Sequence, residues 1–149
     1  MRPLRAVAMA SPSVESAAEA FAAIALAAVA CDGELANLEI RALRQQLEFR
    51  TPYRHYSEKT MGDLLDRLLA ILRGEGLSTL VTQAVIQLEG AQRETALAMA
   101  ANLIHADHIQ TPEELSFLSQ LAEQLELGAE RATQILEVIS VLHRDSLAG

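Results

Sequence analysis

Phe21-Ala22-Ala23-Ile24-Ala25-Leu26-Ala27-Ala28-Val29-Ala30-Cys31 is an uninterrupted apolar run. It falls well short of the roughly 20 residues that a helix needs to cross a bilayer. A helix that is apolar on almost every side belongs at the centre of a globule, and its alanines let neighbouring helices come close. Asp32-Gly33 supplies the turn that stops it. The rest of the chain agrees with this reading. Of 149 residues, 26 are Ala and 24 are Leu, while two Tyr and three Phe are the only aromatics. Ala and Leu are strong helix formers, and the β-branched and aromatic residues that favour strands are sparse. The composition excludes a β-sandwich or barrel, and an apolar content of 50% excludes disorder. The expected fold is all-α, a single-domain bundle.

Breaker residues predict seven helices. Ser11-Pro12-Ser13 opens the first, which runs to about Cys31. The second spans about Asn37 to Phe49 and ends before Thr51-Pro52. Ser57 caps a third, whose apolar stripe is Leu64, Leu65, Leu68, Leu69 and Leu72, with Gly74 and Gly76 ending it. A fourth runs from Ser78 to Glu89, and a fifth from about Gln92 to Ala106. Thr111-Pro112 opens a sixth, with a stripe at Leu115, Leu118, Leu121 and Leu125. Gly128 separates that helix from a seventh ending near His143. Residues 1–12 read as a flexible basic arm broken by Pro3 and Pro12, and residues 13–149 as the helical domain. The loop Arg50 to Tyr56 holds both tyrosines and one histidine, and is expected to lie ordered against the surface.

Laying the stretch that begins at Asp32 over the one that begins at Asp107 exposes an internal repeat. Asp32-Gly33, Glu39 and Leu43 fall on Asp107-His108, Glu114 and Leu118. Each copy has an alanine-rich helix, an aspartate, a glutamate seven positions on and a leucine four further. Two related helix-turn-helix units follow, with their first helices packed together in the core.

Asp32-Gly33 with Glu39, and Asp107 to Glu114 continuing into Leu118, Leu121 and Leu125, resemble the TerB-like family of tellurite-resistance proteins over about residues 14 to 142. The resemblance implies an all-α fold, a role with no assigned catalysis, and acidic turn residues that bind divalent metal. It also implies association with other resistance or stress-response proteins, some of them membrane-bound. Two positions depart from the family pattern: His108 stands where glycine is usual, and Ala36 where a capping Ser or Thr is expected.

Asp32 and Asp107 each follow a helix C-terminus, where free carbonyls already carry partial negative charge. A hard cation such as Ca²⁺ or Mg²⁺ would reverse that repulsion, taking oxygen ligands from Asp32, Glu39, Asp107 and Glu114. Against this, Thr111-Pro112-Glu113-Glu114 fits a capping box in which Glu114 bonds back to the amide of Thr111. Glu39 has the same position but faces Ala36. Neither turn has the ligand spacing of an EF-hand. His105 and His108 flank Asp107 and suggest zinc, yet a third protein ligand other than Asp107 is not in view. His105 is then expected to hydrogen-bond at the edge of the core, and Cys31 to be a core filler.

The formal charge of −8 argues against nucleic acid as a partner. One cysteine excludes a disulfide framework and fits a cytoplasmic setting. No nucleophile elbow, phosphate loop or His-Glu-x-x-His occurs, so an enzyme is not expected. Two contact surfaces are candidates for partner docking: the acidic stretch 107–137, for a basic segment, and the loop Arg50 to Tyr56. Two functions follow. In the first, whose type the resemblance implies, a cytoplasmic tellurite-resistance or stress-response module binds a divalent cation at its duplicated acidic turns and docks partner proteins with its surface. In the second, a metal-free adaptor uses those turns only to stop and cap helices.

Overall fold

The computed structural model describes residues 12–33, 35–106 and 109–149. Nearly all of the expected N-terminal arm lies outside them. Among the described residues there are seven α-helices, one 3₁₀ turn and no strand. The helices are α1 (Ala17–Ala30), α2 (Asn37–Glu48), α3 (Glu58–Glu75), α4 (Leu77–Ile86), α5 (Gly90–His105), α6 (Pro112–Gln124) and α7 (Ala129–Leu142). The 3₁₀ turn covers Tyr53–His55, inside the loop between α2 and α3. None of these helices is long and apolar enough to cross a membrane.

The long apolar run forms the hub. α1 packs against α2, α3, α4 and α5, and α5 in turn carries α6 and α7. On α1, Ala20, Ala22, Ala23, Ala25 and Ala27 are fully buried with Ile24 and Leu26 between them. On α5, Ala96, Ala100 and Ala101 are buried beside Leu97, Met99 and Ile104. Methyl-sized side chains on both helices let the backbones approach, while the larger aliphatics of α3, α4 and α6 fill the space around them. The buried side chains form one contiguous core.

Helix ends follow local chemistry. Ser57 Oγ accepts the Thr60 N–H at 3.0 Å and starts α3 as expected. α1 starts later than expected. Its cap is Ser16, whose Oγ accepts the Glu19 N–H at 3.1 Å. The preceding segment runs non-helically because its backbone is held from outside. Arg67 of α3 donates to the Ser13 carbonyl at 2.6 Å, and Val14 N–H donates to Gln83 Oε1 of α4 at 3.0 Å. Val14 is buried as a result.

Arg93 of α5 ties three helices together. Its guanidinium donates to the carbonyls of Val85 at 3.0 Å, Leu88 at 2.8 Å and Leu125 at 2.8 Å. These carbonyls lie at the ends of α4 and α6, where a cation meets the negative pole of the helix; that of Val85 also accepts the Leu88 N–H at 3.2 Å.

The expected stripe of α6 is corrected at one position. Leu115 is exposed, whereas Glu114, Phe117, Leu118, Leu121 and Leu125 face inward. The inward face runs through positions 114, 117 and 121, three and four apart, and Leu115 lies about 100° away from Glu114 around the helix.

Candidate functional site

The carboxylates of the repeat are the first candidates. Asp32 is half-buried in the turn after α1. Glu39, in the first turn of α2, accepts the Ala36 N–H through Oε1 at 3.0 Å. Ala36 has no side-chain acceptor to return the bond, so only half of a capping box exists there. Around α6 both halves are present. Thr111 N–H donates to Glu114 Oε1 at 2.9 Å, and Glu114 N–H donates to Thr111 Oγ1 at 3.1 Å. Glu114 is 8% exposed, the buried charged side chain of the described residues. Asp107 and His108 lie outside the described residues. Among the described residues, no three His, Cys, Asp or Glu side chains gather as a metal-holding group.

The end of α1 and the start of α6 nevertheless share a neighbourhood. The Cys31 thiol is pushed up to about 12, first by burial, then by the carboxylates of Glu114, Asp32 and Glu113. Asp32 comes from the first turn, and Glu113 and Glu114 from the start of α6. Their negative field, added to the carbonyl end of α1, keeps Cys31 protonated and poorly nucleophilic. Its Sγ–H donates to the Ala28 carbonyl at 3.2 Å. Cys31 is half-buried at the margin of a depression of about 390 Å³, with Leu77, Pro112, Glu113 and Phe117 around it.

His105 does not stand alone at the core edge. Its ring stacks on that of His143, just past the end of α7, with centroids 5.9 Å apart and planes 21° apart. His143 Nε2 lies 2.7 Å from Asn102 Oδ1, within hydrogen-bond distance. The pair therefore fastens the C-terminal ends of α5 and α7. His143, to which sequence reading attaches no role, is the missing partner.

A second feature is an open groove of about 450 Å³ between the start of α1, the loop at residues 50–53 and the start of α5. Its lining is mostly apolar or small, including Ala17, Ala18, Phe21, Pro52, Leu88 and Ala91. Tyr53 is buried in its wall and donates its hydroxyl to the Ala18 carbonyl. Phe21, Tyr53 and Tyr56 form a ladder, with centroid separations of 6.3 and 5.6 Å. The Arg50 guanidinium stands over the Phe21 ring at 5.2 Å. That contact is a cation–π pair, and among the described residues it engages Arg50 in place of a carboxylate.

The loop Arg50 to Tyr56 is thus held against α1, where Tyr53 meets the Phe21 ring and the Ala18 carbonyl. The partnership of that loop with Leu88, Ala91 and Gln92, far along the chain, has no signal at short range. No family model, curated protein or solved structure matches this chain.

Proposed function

We propose that this chain is a non-enzymatic helical interaction module of the tellurite-resistance type. It docks a partner segment in the groove between α1, α5 and the Arg50 loop, while its acidic turns stop and cap helices. The observation that carries this reading is the groove itself. Its volume of about 450 Å³ lies within the size range of ligand sites, and its lining is apolar with a few polar groups at the rim. The lining holds no nucleophile beside a base, so it offers binding rather than catalysis.

The capping bonds favour the metal-free form of this function. Glu39 and Glu114 each commit one oxygen to a backbone amide, which stabilises a helix start with no cation present. The likeness to the tellurite-resistance family rests on the doubled acidic turn, and helix ends that match at one offset support the repeat. α1 ends at Ala30 and α5 at His105, α2 begins at Asn37 and α6 at Pro112, and the offset is the same in both cases. Partners of that kind would be other resistance or stress-response proteins.

Calorimetric titration of chelator-treated full-length protein with Ca²⁺, Mg²⁺ and Zn²⁺ separates the two forms. The expected result is no saturable heat and an unchanged melting temperature. A saturable heat that is lost in Asp32→Asn or Glu114→Gln would restore a cation site at the turns. Tryptophan placed at the exposed Ala91, to fill the groove, is expected to abolish binding of selected peptides without changing the helical signal.

A further inference from the structure

The groove has a chemical bias that its shape alone does not convey. The chain carries a formal charge of −8, with 20 acidic residues against 12 basic ones. Four guanidiniums on its helices are already committed. Arg44 pairs with Glu48 and Glu58, Arg67 with Glu15 and Glu19, and Arg131 with Glu94. Arg93 is spent on three carbonyls. Arg50 is the charged residue of the groove lining, and no carboxylate pairs with it among the described residues. The Phe21 ring holds its guanidinium at the rim, and a cation–π contact of this kind uses up none of the N–H donors.

A second donor lines the groove. Gln92 Oε1 accepts the Glu89 N–H at 3.0 Å, which orients the amide, and its Nε2 hydrogens have no partner among the described residues. Thr51 adds a hydroxyl to the same lining, whereas the Thr95 hydroxyl is donated to the Ala91 carbonyl at 3.1 Å. Beside its apolar residues, then, the lining offers a cation held by Phe21 and an amide oriented by Glu89.

We infer that the groove takes a peptide segment of a partner protein that presents a carboxylate beside an apolar side chain. The inference rests on the docking function proposed above and specifies its ligand. The apolar side chain would seat on Ala17, Ala18 and Phe21, and the carboxylate would meet Arg50 and Gln92. Elsewhere a surface of net negative charge repels such a segment, so binding is confined to the groove by charge as well as by shape. A basic segment would meet the like charge of Arg50 at the same rim.

Short random peptides displayed on phage, selected against the full-length chain, test the inference. Recovered sequences are expected to carry Asp or Glu next to Leu, Phe or Met. Synthesised and measured by fluorescence polarisation, they should bind about tenfold more weakly to Arg50→Gln, and lose affinity as salt rises. Replacing the acidic residue of the peptide with its amide should cause a similar loss against the wild-type chain and little further loss against Arg50→Gln. Peptides that lack acidic residues, ignore Arg50→Gln and yet are lost in Ala91→Trp would overturn the acidic ligand and leave the docking groove intact. Peptides that bind Ala91→Trp as well as wild type would remove both. A doubling of mass in light scattering without peptide, abolished by Ala91→Trp, would assign the groove to a second copy of this chain and sink the inference.

Discussion

Ala36 and Thr111 hold the same place in two helices and support them unequally. Thr111 accepts an amide that Ala36 leaves without a side-chain acceptor, although both following glutamates bond back. Ala36 already has the extended backbone of a capping residue, with φ −92° and ψ 155°. Ala36→Ser is therefore expected to stabilise the protein by about 0.5–1 kcal/mol, and Thr111→Ala to destabilise it by about 1 kcal/mol. Urea unfolding measures both, and a loss of stability in Ala36→Ser would show that the first turn is held by something other than its cap. Cys31 titrates with a definite sign. Its thiol moves from an ordinary value of 9.0 to about 12 in the fold, so the protonated form is the one the native state favours. That contribution is intact below pH 9 and declines as pH rises from 9 towards 12, because the unfolded chain loses its proton first. Tyr53 is raised too, by burial first and then by Tyr56, so Cys31→Ser should remove only part of the alkaline loss. Melting temperatures between pH 8 and pH 11 read the difference; identical slopes in both proteins would refute it. At this scale the Thr111–Glu114 cap is legible in the sequence because its atoms lie three residues apart. The stacking of His105 on His143 is not, since nothing local joins positions on different helices.

At the scale of elements, one side chain stands where three helices meet. Arg93 satisfies acceptors at the ends of α4 and α6 from its place on α5. Hydrogen bonds from a charged donor contribute about 1.5–3 kcal/mol each, less the entropy of fixing the side chain. Arg93→Ala is expected to cost about 2–4 kcal/mol in denaturant unfolding. Arg93→Lys should recover less than half, because an ammonium cannot span three carbonyls as a planar fork does. Full rescue by lysine would mean that charge near the helix ends, and not the geometry of the fork, supplies the stability. Helix number and most boundaries are readable from Gly, Pro and capping residues, whose effects are local. The start of α1 is not, because Ser13 and Ser16 are equivalent as letters, and only Arg67 and Gln83 decide which of them remains outside the helix. Leu115 reads as inward because leucine at helical spacing usually is; the buried capping glutamate beside it turns that face by one position.

For the whole molecule, burial and charge act over different distances. The apolar helices α1 and α5 pack together in the core because nothing else in the chain can cover them on all sides, and that follows from composition and pattern. A surplus of carboxylates gives the chain its net charge, while the groove beside Phe21 keeps a guanidinium for itself. An all-helical architecture, the existence of the helices and the cap at Thr111 were determined by the order of residues alone, since each arises from interactions within a few positions. The placing of Cys31 beside the start of α6, the histidine stack and the groove under Arg50 were decided only in the folded chain. Their partners stand on different helices, far apart along the sequence, and only the packing of the core brings such distant side chains together.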